Sequence, residues 1–133
     1  MNTNNKKNIV IKIGTTSIIK NEKVDLTLLK SLAELINEYK TQFSFVIVTS
    51  GAVGLGATKL NYKSRPKSLK RLQVASAVGQ IELINQYEKI FKDKKMNIAQ
   101  VLITKNLIDD REQFINTTQA LNELLAQGII PVI

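Results

Sequence analysis

Four short apolar runs dominate the chain: Asn8–Ile13, Phe43–Thr49, Asn97–Ile103 and Ile129–Ile133. Each is rich in Ile, Val or Phe, and each reads as a strand buried on both sides rather than one with a wet face. Between them the apolar spacing changes to that of a helix. Val24–Tyr39 carries Leu28, Leu29, Leu32, Leu35, Ile36 and Tyr39, with Asp25 as the expected N-cap. Ser68–Phe91 is a long amphipathic pattern, and Arg111–Gln127 is a third, with Phe114, Leu121, Leu124 and Leu125 expected inward and Gly128 as its stop. The order β-α-β-α-β-α-β predicts an α/β fold with a mostly parallel sheet, helices on both faces and right-handed crossovers. Ligands of such sheets bind off the carboxyl ends of the strands. Chemistry is therefore expected just after Ile13, Thr49, Ile103 and Ile133.

Residue types narrow that chemistry. The chain has no Cys and no His, so thiolate nucleophiles, disulfides, zinc–thiolate sites and imidazole bases are excluded. Lysines, arginines, carboxylates, hydroxyls, amides and backbone N–H groups remain. The 19 basic and 11 acidic residues give a net charge of +8. Six of the bases (Lys59, Lys63, Arg65, Lys67, Lys70, Arg71) fall in an acid-free run. That run reads either as a solvated loop and helix start or as a rim that attracts an anion. No apolar stretch reaches the length of a membrane span, and Met1–Asn8 lacks the apolar core of a signal peptide, so a cytoplasmic protein is expected.

Three segments carry candidate chemistry. In the first, Lys12 interrupts an apolar strand that runs into Gly14-Thr15-Thr16-Ser17. A buried ammonium is costly without an anion. The lysine is thus either an edge or snorkelling residue or a phosphate contact, with Gly14 easing a tight turn and the following amides and hydroxyls donating to phosphate oxygens. It is not a Walker A loop. In the second, Thr49-Ser50-Gly51-Ala52 follows a buried strand and opens Gly51-Ala52-Val53-Gly54-Leu55-Gly56. Ser50 is expected to cap a helix start, and Gly51 and Ala52 to expose amides to an anion such as a carboxylate. The glycine order does not match the dinucleotide fingerprint. In the third, Thr104-Lys105 precedes Asp109-Asp110-Arg111-Glu112, whose acids are either catalytic or partners of a helix dipole. Gly79 inside the long helix costs about 1 kcal/mol relative to Ala, which predicts a close neighbour there.

With these segments in view, the chain resembles the amino-terminal half of the catalytic domain of the glutamate 5-kinases, within the amino acid kinase family. The matching residues are Ile11-Lys12-Ile13-Gly14-Thr15, Val46-Ile47-Val48-Thr49-Ser50-Gly51-Ala52, Ala77-Val78-Gly79-Gln80, Asp110-Arg111-Glu112 with Phe114 and Asn116, and Ile130-Pro131-Val132-Ile133. The resemblance implies a three-layer kinase fold. It also implies ATP with Mg2+ as phosphoryl source, L-glutamate as the small-molecule acceptor through its side-chain carboxylate, and γ-glutamyl phosphate as product, the first step of proline synthesis. Lys12 would meet the transferred phosphoryl group, Gly14 and Thr15 would line the phosphate turn, and Ser50, Gly51 and Ala52 would hold glutamate. The basic stretch Lys59–Arg71 would form a flap near the substrate mouth. Position 16 is Thr where the family often has Ser, which keeps a hydroxyl.

The resemblance further implies that the family continues past Pro-Val-Ile with an acidic stretch, Asn-Glu-Asn-Asp, and with a half that supplies most of the ATP pocket. The sequence ends in an apolar run without a polar exit. Residues 1–133 are thus expected to be the glutamate-binding half of a longer protein that assembles as a homo-oligomer, with little activity alone. Two other classes are weighed beside this. One is a basic nucleic-acid-binding module, against which stand only three arginines and 5% aromatics. The other is a truncated paralogue that works only as an interaction subunit.

Overall fold

The computed structural model describes residues 6–104, 107 and 109–133. Lys105, and Met1–Asn5 of the leading segment, lie outside the described residues. The chain runs β1 (Lys7–Ile13), α1 (Thr15–Ile18), β2 (Ile19–Lys20), β3 (Lys23–Val24), α2 (Leu26–Tyr39), β4 (Phe43–Thr49), α3 (Ala52–Lys59), α4 (Leu69–Asp93), β5 (Ile98–Gln100), α5 (Arg111–Ala126) and β6 (Ile130–Val132).

Four strands form a parallel sheet in the order β1-β4-β6-β5. β1 lies along the whole of β4, from Lys7 opposite Phe43 to Ile13 opposite Thr49. Alternation then decides the faces. Ile9, Ile11 and Ile13 join Phe43, Phe45, Ile47, Ile98, Ile130 and Val132 in the main core. That core is closed by Leu29, Leu32, Ala33 and Ile36 of α2 and by Leu83, Tyr87, Ile90 and Phe91 of α4. The connections β1→β4 and β4→β5 step the same way across the sheet, so right-handed crossovers put α2 and α4 on one face. The step β5→β6 runs back, which sends α5 to the other. The expected parallel sheet with helices on both faces is what the chain forms, but the second face is thinly covered. α5 has no buried residue, and Val10 of β1 is 64% exposed.

Local chemistry explains the helix ends. Asp25 caps α2 by accepting from the amides of Thr27 at 3.0 Å and Leu28 at 3.1 Å. It also pairs with Lys20. The Lys20 hydrogen bond first, and then the Leu28 amide, hold its carboxyl below the ordinary carboxylate range. Ser68 caps α4 through the Arg71 amide, and Asp110 caps α5 through that of Gln113 at 3.0 Å. Gly128, at φ +71°, stops α5 as its position predicts: its N–H reaches Leu125 O and that of Ile129 reaches Leu124 O.

Several boundaries differ from expectation. Val24 belongs to a short hairpin, β2–β3, whose two-residue turn Asn21-Glu22 has positive φ at both positions. This is the backbone of a primed hairpin turn, with Asn at its first place. The third strand stops at Gln100 rather than Ile103, although Val101 N still reaches Val132 O at 2.9 Å. β5 has one neighbour only, so the residues beyond meet no second ladder. The fourth strand covers Ile130–Val132 rather than Ile129–Ile133. Phe114, expected inward, is half exposed. The half-buried leucines of α5 (Leu121, Leu124, Leu125) sit in its carboxyl-terminal half.

Candidate functional site

A cleft of about 640 Å³ opens at the carboxyl ends of the strands. Its walls come from four places named by the strand order. They are Thr15 after β1, Thr49-Ser50-Gly51-Ala52 after β4, Val101-Leu102-Ile103 after β5, and Ile133 after β6. Side chains from α4 (Ser76, Gln80, Leu83) and from the loop Tyr62-Lys63-Ser64-Arg65 complete it.

The β4 turn is held by contacts on more than one side. Gly51 has φ +110°, a left-handed conformation that a side chain would strain. Any Cβ there would also lie 2.9 Å from Ile19 and 3.2 Å from Ile18. The turn is therefore wedged against α1 and the start of the hairpin. Gly51, not Ser50, is the N-cap residue of α3, and no side chain caps that helix. The Ser50 expectation fails because the αL step at Gly51 starts the helix one residue later. The first helical bond is Leu55 N to Gly51 O at 3.1 Å. The amides of Ala52, Val53 and Gly54, all lining the cleft, thus lie ahead of the helical ladder.

From below, the buried Tyr87 of α4 donates its hydroxyl to Thr49 Oγ1 at 2.9 Å. Burial raises its pKa above the ordinary value of 10, and the Thr49 contact offsets this in part. In the sequence Tyr87 shows only as an apolar position of a helix. Its anchoring role depends on a contact 38 residues away.

Backbone contact explains why α3 lies against α4. A Cβ on Gly79 would fall 1.8 Å from Ala52 O, and one on Gly56 would fall 1.7 Å from Ala75 O. The close neighbour that Gly79 predicts is thus the first turn of α3. Ser76 and Gln80 share one face of α4 with these small residues, four apart, so the same packing brings them into the cleft. Their spacing beside Ala75 and Gly79 was the available signal.

The β1 end behaves differently. Gly14 has φ −77°, which any residue adopts, and nothing lies within 4 Å of a Cβ built on it. The turn itself does not need glycine. Of the amides expected to face an anion, that of Ser17 is already bonded to Gly14 O at 3.1 Å. Lys12 is exposed on β1, opposite Val48 in register, on the face away from α2 and α4. Of the expected site residues, Thr15, Ser50, Gly51 and Ala52 line the cleft, whereas Lys12 and Gly14 do not.

The acids of the third segment divide simply. Asp110 caps α5 with both oxygens engaged by Gln113, which is the helix-end reading rather than the catalytic one. Of the basic run, Lys63 and Arg65 border the cleft, and Arg71 lies over the Tyr62 ring at 5.7 Å. No group of three or more acidic or other metal-ligating side chains gathers among the described residues. No helix of the described residues is long and apolar enough to cross a membrane.

Comparison with known proteins adds relatives and a shared architecture. The chain is 44% identical to a glutamate 5-kinase of Prochlorococcus marinus subsp. pastoris, covering 96% of this chain and 36% of that protein. It is 38% identical to one from Moorella thermoacetica, with 96% and 34% covered, and 36% identical to one from Streptococcus uberis, with 96% and 48% covered. The chain thus spans between a third and half the length of these relatives. Among solved structures, isopentenyl phosphate kinase superposes with a TM-score of 0.58 at 15% identity, over 94% of this chain and 55% of that one, a likeness of fold. The description "Amino acid kinase family" matches residues 7–133, from the first residue of β1 through the last strand, and the chain belongs to that family.

Proposed function

We propose that this chain is the glutamate-binding half of a glutamate 5-kinase, with the half that holds most of ATP outside residues 1–133. The observation that carries the reading is the Thr49-Ser50-Gly51-Ala52 turn. It is held from below by Tyr87 and from the side by Ile18 and Ile19, and it presents hydroxyls and amides to a cleft at the strand ends. Relatives that share the whole matched segment are named for glutamate, which supports that amino acid as the substrate.

In this reading Ser50 Oγ and the amides of Gly51 and Ala52 hold the amino-acid substrate by neutral and charge-assisted hydrogen bonds. Bound ATP would supply the phosphoryl group that passes to the side-chain carboxylate, giving γ-glutamyl phosphate and ADP. Phosphoryl transfer asks the protein for position and charge rather than covalent chemistry. Gly14 leaves open space over the end of β1, and Thr15 faces the cleft, so this end suits the approach of a phosphate. Lys12 does not line the cleft, and it is the family resemblance, not the cleft, that assigns its ammonium to the developing charge. Among the described residues no cluster of carboxylates gathers that would cage Mg2+. The protein is read as cytoplasmic, homo-oligomeric when full length, and placed at the entry to proline synthesis.

The test is a chimera in which residues 7–133 replace the matching segment of the Prochlorococcus relative. Glutamate-dependent ADP release is expected from the chimera and little from the 133-residue chain alone. Lys12→Ala is expected to lower kcat about 100-fold or more, and Ser50→Ala to raise KM for glutamate. A folded chimera without glutamate-dependent turnover overturns the assignment.

A further inference from the structure

The loop that follows α3 is aimed, not merely solvated. Asn61 has φ +54°, its N–H reaches Thr58 O at 3.0 Å, and Tyr62 N reaches Ala57 O at 2.9 Å. This pair of bonds ends α3 and turns the chain back. Tyr62, half-buried, then lies beneath the Arg71 guanidinium of the first turn of α4, 5.7 Å from its ring centre. Between these two fixed points the loop must arch, and its arch carries Lys63, Ser64 and Arg65 along the cleft wall. Among the described lining residues the one carboxylate side chain is that of Glu22, on the tip of the hairpin. The described lining thus carries two cationic side chains and one acidic one, with hydroxyl, amide and apolar groups elsewhere.

We propose that Lys63 and Arg65 receive the carboxylate of the substrate that does not react, and that Arg71, through Tyr62, is the positioning residue that holds them there. The inference rests on the glutamate reading above and deepens it, because it makes the enzyme selective for an amino acid with two carboxylates. One end of the substrate meets the turn at Ser50–Ala52 and the phosphate end of β1. The other meets the cations of the loop. Lys63 and Arg65 are exposed, so their replacement tests recognition without disturbing the core.

The experiment is calorimetric binding of L-glutamate and of its α-amide, in which the non-reacting carboxylate is neutral, to the chimera described above and to its variants. The chimera with unaltered residues 7–133 is expected to prefer glutamate. The double variant Lys63→Met with Arg65→Met is expected to weaken glutamate roughly tenfold or more, with the α-amide little changed. Arg71→Ala and Tyr62→Ala are expected to reduce the same preference, whereas Tyr62→Phe, which keeps the ring under the guanidinium, restores it. Glutamate binding whose preference over the α-amide survives in the double variant overturns this inference and leaves the glutamate reading intact. Preference lost in the double variant but kept in Arg71→Ala removes the positioning role of Arg71. No glutamate binding by the chimera with unaltered residues 7–133 overturns both readings.

Discussion

The two flanks of the sheet are built to different standards. On one, α3 and α4 touch backbone to backbone, with Gly79 against Ala52 O and Gly56 against Ala75 O, and the core behind them closes over Leu83, Tyr87 and Phe91. On the other, α5 has no buried residue, and Leu102, Ile103, Phe114 and Ile115 are all substantially exposed. The Thr49–Ala52 turn that borders the cleft grows out of the first flank. Its position is thus fixed by contacts that leave little alternative, since a close-packed interior resists small displacements. The second flank is held by cap and turn hydrogen bonds and by one end of a helix, and it tolerates change accordingly.

The comparison breaks most readily at the helix contact. Gly79→Ala is expected to destabilise by about 3 kcal/mol or more, because the added methyl meets a carbonyl rather than a flexible side chain. Denaturant unfolding measures it, and a loss below about 1 kcal/mol would show that α3 can lift away. Gly51→Ala comes next, at about 1–3 kcal/mol from the left-handed backbone, with the flexible Ile19 absorbing part of the clash.

Tyr87→Phe is expected to cost about 1 kcal/mol by removing the hydrogen bond to Thr49. It also carries a pH signature. Burial raises the hydroxyl pKa in the folded state, so the folded state keeps its proton where the unfolded state has lost it. The stabilisation from this group is complete below the unfolded value of about 10 and falls as pH rises through the folded value. Stability of the unaltered chain should thus decline above about pH 10 more steeply than that of Tyr87→Phe. Asp25 gives the opposite limb. Its lowered pKa means stabilisation present above the ordinary carboxylate range and lost as pH falls through the folded value, so Asp25→Asn should flatten the acid side of the profile.

The smallest effect sharpens the contrast. Phe114→Ser is expected to change stability by about 0.5 kcal/mol or less, since half the side chain is already in water. Amide hydrogen exchange should agree: the amides of α5 are expected to exchange well before those of α4 around Leu83–Phe91. Comparable protection of both helices would contradict the division drawn here.

Much of the architecture was legible before any coordinates. Apolar runs and helical spacing located β1 and β4 to within a residue, and Asp25 marked a helix start by its carboxylate and Gly128 a helix end by its backbone freedom. Gly79 announced a close neighbour because nothing else offsets a glycine inside a helix. Less local features escaped. The β2–β3 hairpin is two residues per strand, too short for any period to show. Phe114 has the right spacing to point inward, but spacing says only which residues share a face. Whether that face is covered depends on what lies opposite.

The sequence on its own determined the α/β class, the parallel sheet and the strand ends at which the cleft opens, because period and burial pattern are local properties. It also supplied the residues of the Thr-Ser-Gly-Ala turn. Tertiary structure alone decided that Gly51 rather than Ser50 begins α3, that Tyr87 braces Thr49, that Ser76 and Gln80 enter the cleft and that Arg71 pins the basic loop through Tyr62. These are contacts between residues far apart in the chain or choices of a single backbone angle. Their energies are set by the distance between elements, and that distance exists only once the elements have packed.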